Sequence, residues 1–306
     1  MRRTYQISTL CLAAAAVVAC KPEAVIETEN IPTAGVRFIN AVPDTGQMDF
    51  RPVDIVENTT FYNVGFRGTT ILYYKNARAG TRHFKIFRTP DQNTSSATQI
   101  TVAQTVVADL VDEVLEQDKR YTYILWGYSR TGSAPSMRVT RITDDPADPA
   151  TQVAVRVINA CVPGLCGGSA DGVVDARIFT GTATIAAPAA TFLAVQPLSS
   201  STYSNVAASA SSCVTTQAAC YSFDFRPAGG ATAGAALAAG NAPAGILQTI
   251  DLEAVPGTNV AGSAVTGLLV PRSLAGSTAA TFASPGIIFM WDRRPPRTCA
   301  LCAPAQ

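Results

Sequence analysis

One hexapeptide occurs twice in this chain and sets the scale of its organisation. Val36-Arg37-Phe38-Ile39-Asn40-Ala41 returns as Val155-Arg156-Val157-Ile158-Asn159-Ala160, with Pro43 and Pro163 following the two copies. Further landmarks recur in the same order: Asp49 and Asp175 each opening a short run, Thr60-Phe61 and Thr191-Phe192, Tyr73 and Tyr203, Phe87-Arg88 and Phe225-Arg226. A spacing of about 120 residues is too long for a solenoid unit and suits a duplicated domain. The expected units are 35–142 and 153–292, joined by a linker over 143–152 that Pro146 and Pro149 stiffen.

Within each copy, short runs alternate apolar and polar residues between Gly, Pro, Asn and Asp breaks, which is the pattern of half-buried strands. Val36, Phe38 and Asn40 share one face, as do Val153, Val155, Val157 and Asn159. Further strands are predicted over 48–55, 60–66, 70–75, 82–88, 121–128 and 137–142. Apolar residues make up 47% of the chain and charged residues 15%, which argues against disorder and against coiled coil. The fold class expected is all-β, two tandem sandwiches of the immunoglobulin-like or transthyretin-like kind. Val107, Leu110, Val111, Val114 and Leu115 fall at helical spacing, so 106–118 reads as one short helix, with strand alternation through Val107 and Val111 as the other reading. The Ala- and Gly-rich stretch 228–244 reads as a mobile loop.

The Val-Arg-x-Ile-Asn-Ala motif with its Pro, the Asp-led strand, the central Tyr, and a Tyr-Thr-Tyr strand ending in Gly127 together resemble the bacterial family called domain of unknown function 4397. The resemblance covers most of 35–292. In the second copy the counterpart of the Tyr-Thr-Tyr strand, near 264–270, lacks the aromatics. The family implies an extracytoplasmic β-sandwich, often in tandem copies on exported or lipid-anchored proteins, and implies no reaction.

Ahead of the first repeat, Arg2 and Arg3 precede an apolar run from Ile7 to Ala19, too short to span a bilayer as a helix. This is the layout of an export signal, assigned to 1–19. The run ends Val17-Val18-Ala19-Cys20, similar to the lipobox of bacterial lipoproteins, which makes Cys20 the residue expected to carry the acyl chains. Lys21 in the next position resembles lipoproteins sorted to the outer membrane. Residues 20–34 then form a polar tether that would reach about 45–50 Å fully extended.

Six further cysteines lie in the second half: Cys161, Cys166, Cys213, Cys220, Cys299 and Cys302. In an exported chain an even count favours disulfides, and proximity suggests pairing each with its near neighbour. The Cys299-x-x-Cys302 spacing in the 293–306 tail also admits a redox pair or half a zinc site.

Motifs for catalysis are sparse. His83 is the single histidine, and no nucleophile elbow, Walker loop, dinucleotide turn or metal-ligand cluster is present, so no cofactor or metal is expected. Asp44 with Asp49, and Asp171 with Asp175, are the carboxylates through which a hydrolase or calcium site would work, although turn Asp residues more simply cap their own backbone. Tyr121, Tyr123, Trp126 and Tyr128 load both faces of one strand, and the face turned away from the core is a candidate platform for sugar rings or a partner protein. A net charge of +1 leaves no footprint for nucleic acid. The expectation is a non-catalytic, membrane-anchored envelope protein acting as a binding, adhesive or structural module, with an envelope glycan or protein as the partner considered. An Asp-based envelope hydrolase and a cysteine-based redox or metal protein are the alternatives.

Overall fold

The computed structural model describes residues 31–69, 73–88, 105–167, 171–180, 187–215, 220–229, 235–246, 255–277 and 281–295. The leader, Cys20, most of the tether, Cys299 and Cys302 lie outside the described residues. The first repeat contributes β1 (Thr33–Asn40), β2 (Met48–Pro52), β3 (Phe61–Val64), β4 (Lys75–Arg78), β5 (Gly80–Arg88), β6 (Thr105–Leu115), β7 (Arg120–Trp126) and β8 (Arg138–Thr143). The second contributes β9 (Gln152–Asn159), β10 (Val174–Thr180), β11 (Ala190–Val195), β12 (Ser199–Ser200), β13 (Ser204–Ala207), β14 (Tyr221–Pro227), β15 (Ala238–Asn241), β16 (Ala264–Val270) and β17 (Gly286–Arg293). A short 3-10 turn at Ser211–Val214 is the helical element among the described residues.

Each repeat is a sandwich of two sheets. In the first, the sheet β4-β1-β7-β8 packs on β3-β2-β5-β6, and the inward faces close over Phe38, Phe50, Phe61, Phe84 and Tyr123. Phe50 sits centrally, stacked between Phe38 at 5.2 Å and Phe84 at 4.9 Å. In the second, β12-β9-β16-β17 packs on β11-β10-β14-β15 over Val155, Val157, Ile178, Phe223 and Phe225. The hexapeptide strands have the same place in both: β1 lies parallel to β7, with Phe38 opposite Tyr123, and β9 lies parallel to β16, with Val157 opposite Gly267.

Registers relate the repeats position by position. Gly267 stands where the first repeat has Tyr123, and the space is filled from the other sheet, since a Cβ at Gly267 would lie 2.6 Å from the Phe223 ring. Phe223 in turn meets Phe289 edge-on at 5.1 Å. Ile86 opposite Phe50 and Phe225 opposite Ala176 are equivalent, which sets the matching of Phe87-Arg88 to Phe225-Arg226 one residue out of step. A one-residue slip exchanges the faces of a strand, and the registers exclude it.

Two other expectations are corrected. Residues 105–115 are strand β6, with no helix: β6 pairs with β5 through two irregularities, which reset the alternation and give an apparent helical spacing. Asp112, at φ 58°, marks one such break. Within 228–244, Ala238–Asn241 is strand β15, paired with β14 through its backbone, so small side chains are no obstacle to a ladder there, while 230–234 lie outside the described residues.

Both repeats fall in one compact unit beginning at Thr33. The outward face of β1-β7-β8 packs on the outward face of β9-β16-β17, stacking four sheets. Ile39, Ala41, Ile124, Trp126 and Ile142 meet Ile158, Ala160, Leu268, Val270 and Met290 in this middle layer. Strand β1 is therefore covered on both sides.

Candidate functional site

Strand alternation turns Arg37 on β1 and Arg156 on β9 away from their own cores and toward each other's repeat. Arg37 Nε and Nη2 donate to Thr122 Oγ1 of the same repeat at 3.1 and 2.8 Å, and Nη2 reaches across to Asp292 Oδ1 at 2.8 Å. Arg156 repeats the arrangement: Nε donates to Thr266 Oγ1 at 2.8 Å, while Nη2 reaches across to Asp144 and also bonds Asp292 at 3.1 Å. The threonine hydroxyls donate onward, Thr122 to Asp144 and Thr266 to Asp292. Tyr74 bonds Asp144 Oδ2 at 2.9 Å and Asp292 Oδ1 at 3.1 Å, and Tyr203 bonds Asp292 Oδ2 at 2.9 Å. Each tyrosine also lies under its own repeat's guanidinium, Tyr74 at 4.4 Å from Arg37 and Tyr203 at 4.6 Å from Arg156.

The four charged side chains are 0–2% exposed. Two cations and two anions cancel, and the threonines and tyrosines take the remaining hydrogen bonds, which is what a low-dielectric site requires of buried charge. In Asp292, burial favours the neutral acid, but Arg156 and Arg37 outweigh it and hold the carboxyl below the usual carboxylate range. Burial pushes the phenols of Tyr74 and Tyr203 well above theirs. Burial also opposes the charge on each arginine, and the surrounding tyrosine and aspartates reverse that effect. The centre is shut off from substrate and joins the two repeats.

The asparagine of each hexapeptide works inside its own repeat. Asn40 Nδ2 donates to the carbonyls of Gly46 and Val64 while its Oδ1 accepts from Val42 N; Asn159 does the same with Gly172, Val195 and Cys161. The aspartates considered for hydrolysis or calcium hold backbone. Asp49 accepts from Asn63 N at 2.7 Å and Asp175 from Ala194 N at 2.8 Å, both donors being bulge residues at positive φ, 55° and 51°. Asp175 takes Gly229 N with its other oxygen, and Asp44 takes Ser129 N and Arg130 N. Asp171 is exposed.

The aromatic platform is not there. Tyr121, Tyr123 and Trp126 are at most 2% exposed and Tyr128 is half-buried. The strand is heavy on both faces because one face fills its own sandwich and the other, with Ile124 and Trp126, fills the layer between repeats. Trp126 Nε1 donates across that layer to the carbonyl of Ala160 at 2.9 Å. Tyr74, rather than Tyr73, is the structural counterpart of Tyr203, since both bond Asp292 and each lies under its own repeat's guanidinium. Cys161 is bonded to Cys166 and Cys213 to Cys220, each a buried pair closing a short loop. Among the described residues, no three His, Cys, Asp or Glu side chains gather as a metal site would need.

A cleft of about 590 Å³ opens to solvent at one end of the charged centre, bordered by Tyr73, Tyr74, Lys119, Arg120, Arg293 and Arg294. Its size is in the usual range for small-ligand sites. Arg294 stacks on Tyr73 at 4.1 Å, and Arg120 is fixed by donating to the Asp292 carbonyl at 3.1 Å. Lys119 and Arg293 lean on the exposed Asp145 and Asp148, pairs that water screens and a ligand could exchange.

A tandem β-sandwich fused through a buried ion centre is thus the class the structure defines. Residues 34–163, the first repeat with the opening strand of the second, match the family model described as Domain of unknown function (DUF4397). The comparison with curated proteins gave no match.

Proposed function

We propose that this protein is a non-catalytic binding module of the bacterial cell envelope, anchored through acyl chains on Cys20, with the cleft beside Tyr73 and Arg294 as its ligand site. The observation that carries this reading is where the polar side chains go. The repeated Arg, Thr and Asp residues are buried between the sandwiches, and Asp44, Asp49 and Asp175 each accept from backbone amides. The cleft beside Tyr73 offers an aromatic ring, guanidinium groups and polar backbone, which suits a sugar ring or a peptide better than it suits acid–base chemistry. The two disulfides fit an exported chain.

The test is to titrate the mature soluble chain against envelope glycan and peptidoglycan fragments while assaying it on hydrolase panels, with mass spectrometry of the N-terminus from membranes. Binding that Tyr73→Ala and Arg294→Ala each weaken about tenfold, the scale of one lost stacking or cation–π contact, supports the reading. Turnover abolished by Asp49→Asn or Asp175→Asn, or an unmodified mature N-terminus, overturns it.

A further inference from the structure

The join between the repeats is two-fold in its chemistry as well as its shape. Each repeat brings an arginine, a threonine, an aspartate and a tyrosine from matching places: Arg37, Thr122, Asp144 and Tyr74 from the first, Arg156, Thr266, Asp292 and Tyr203 from the second. Pairing registers establish the match, since Thr122 faces Ile142 across β7 and β8 while Thr266 faces Met290 across β16 and β17, and each aspartate follows two residues later. The guanidinium of each repeat reaches the other repeat's carboxylate. The apolar positions match too, Ile39 with Ile158, Ala41 with Ala160, Ile124 with Leu268. This is an isologous interface, one patch used from both sides, folded into a single chain.

We infer that this face is an assembly surface whose partner is a repeat of the same kind, so that two copies of the chain can exchange repeats, the first sandwich of one closing on the second sandwich of the other. Every contact across the face is preserved in the exchanged pair, because the same residues meet. The one element that must change course is the stretch 145–151 between β8 and β9. Its neighbour Asp144 stays with the first sandwich, bonded to Thr122 and Tyr74. Ala147 and Asp148 within it are exposed and accessible to cutting.

The experiment uses the full mature chain with a protease site inserted between Ala147 and Asp148. Isotopically heavy and light preparations are cut, and one portion is analysed directly while another is mixed, opened in denaturant and renatured. In the direct portion, native mass spectrometry should show the halves together at the mass of the uncut chain plus the one water added by hydrolysis. In the mixed portion, heavy–light hybrids should approach the statistical half of the population. Cut halves that separate at neutral pH, or pairs that re-form without hybrids, overturn the inference. Arg37→Met in the cut chain should raise the dissociation constant on the order of a hundredfold or more, since it strands a buried carboxylate; unchanged association would likewise overturn it.

Discussion

Arg156 shows how little of a buried charge's value lies in the charge alone. Its guanidinium is held by Thr266, Asp144 and Asp292, and losing it leaves two carboxylates facing Arg37 with no water to compensate. Arg156→Met should therefore cost about 3–5 kcal/mol of unfolding free energy in urea titration, the usual penalty for breaking a buried ion pair from one side. A loss below about 1 kcal/mol would mean that the centre is hydrated. Gly267 makes the opposite case, a residue whose importance is the absence of a side chain. Even one methyl group would collide with the Phe223 ring, which Phe289 packs against from another side. Gly267→Ala is expected to lower stability by about 1–3 kcal/mol, and trimming the ring in Gly267→Ala with Phe223→Leu should recover part of it in the same titration.

At the scale of strands, the hexapeptide predicted a core face correctly because Val36, Phe38 and Asn40 obey a period of two. The intervening Arg37, Ile39 and Ala41 give no such cue: a strand covered on both sides has no polar face to alternate with, and an arginine ordinarily marks solvent. That is why Tyr121, Tyr123 and Trp126 read as a surplus of aromatics available for binding, when a second sheet was already lying on them. A signal for the join was present in the pairwise return of Arg37 and Arg156, Thr122 and Thr266, Asp144 and Asp292 at matched places in both repeats. The arginines stand inside the hexapeptide, but the threonine and aspartate pairs stand in segments with little surrounding similarity, and matching the strand around Thr266 to the Tyr-Thr-Tyr strand by its aromatics passed over the threonine. The cleft was not legible at all, since its lining comes from the beginning of β1, the segment before β4, the turn before β7 and the end of β17. Strand β6 misled for a local reason, as its breaks in pairing with β5 displaced the alternation partway along.

For the molecule as a whole, the charged centre ties stability to pH at both ends of the scale. Asp292 is more acidic folded than unfolded, so its contribution is present above the ordinary carboxylate value and disappears as pH falls through the folded one. Tyr74 and Tyr203 are less acidic folded than unfolded, so theirs is present below the ordinary phenol value and is lost as pH rises beyond it. Melting temperature should accordingly be level between about pH 4 and pH 10 and fall on either side. Tyr74→Phe should flatten the alkaline fall, and a melt series indifferent to that change would place the alkaline sensitivity elsewhere. Geometry carries a consequence of another sort. Thr33, where β1 starts, and Arg294, just past β17, border one cleft, so the backbone enters and leaves the stacked sheets on the same side. Such a body can be spliced into a surface loop of an unrelated host without prising the loop open, and anything grafted before residue 33 and after residue 294 would stand side by side instead of at opposite poles.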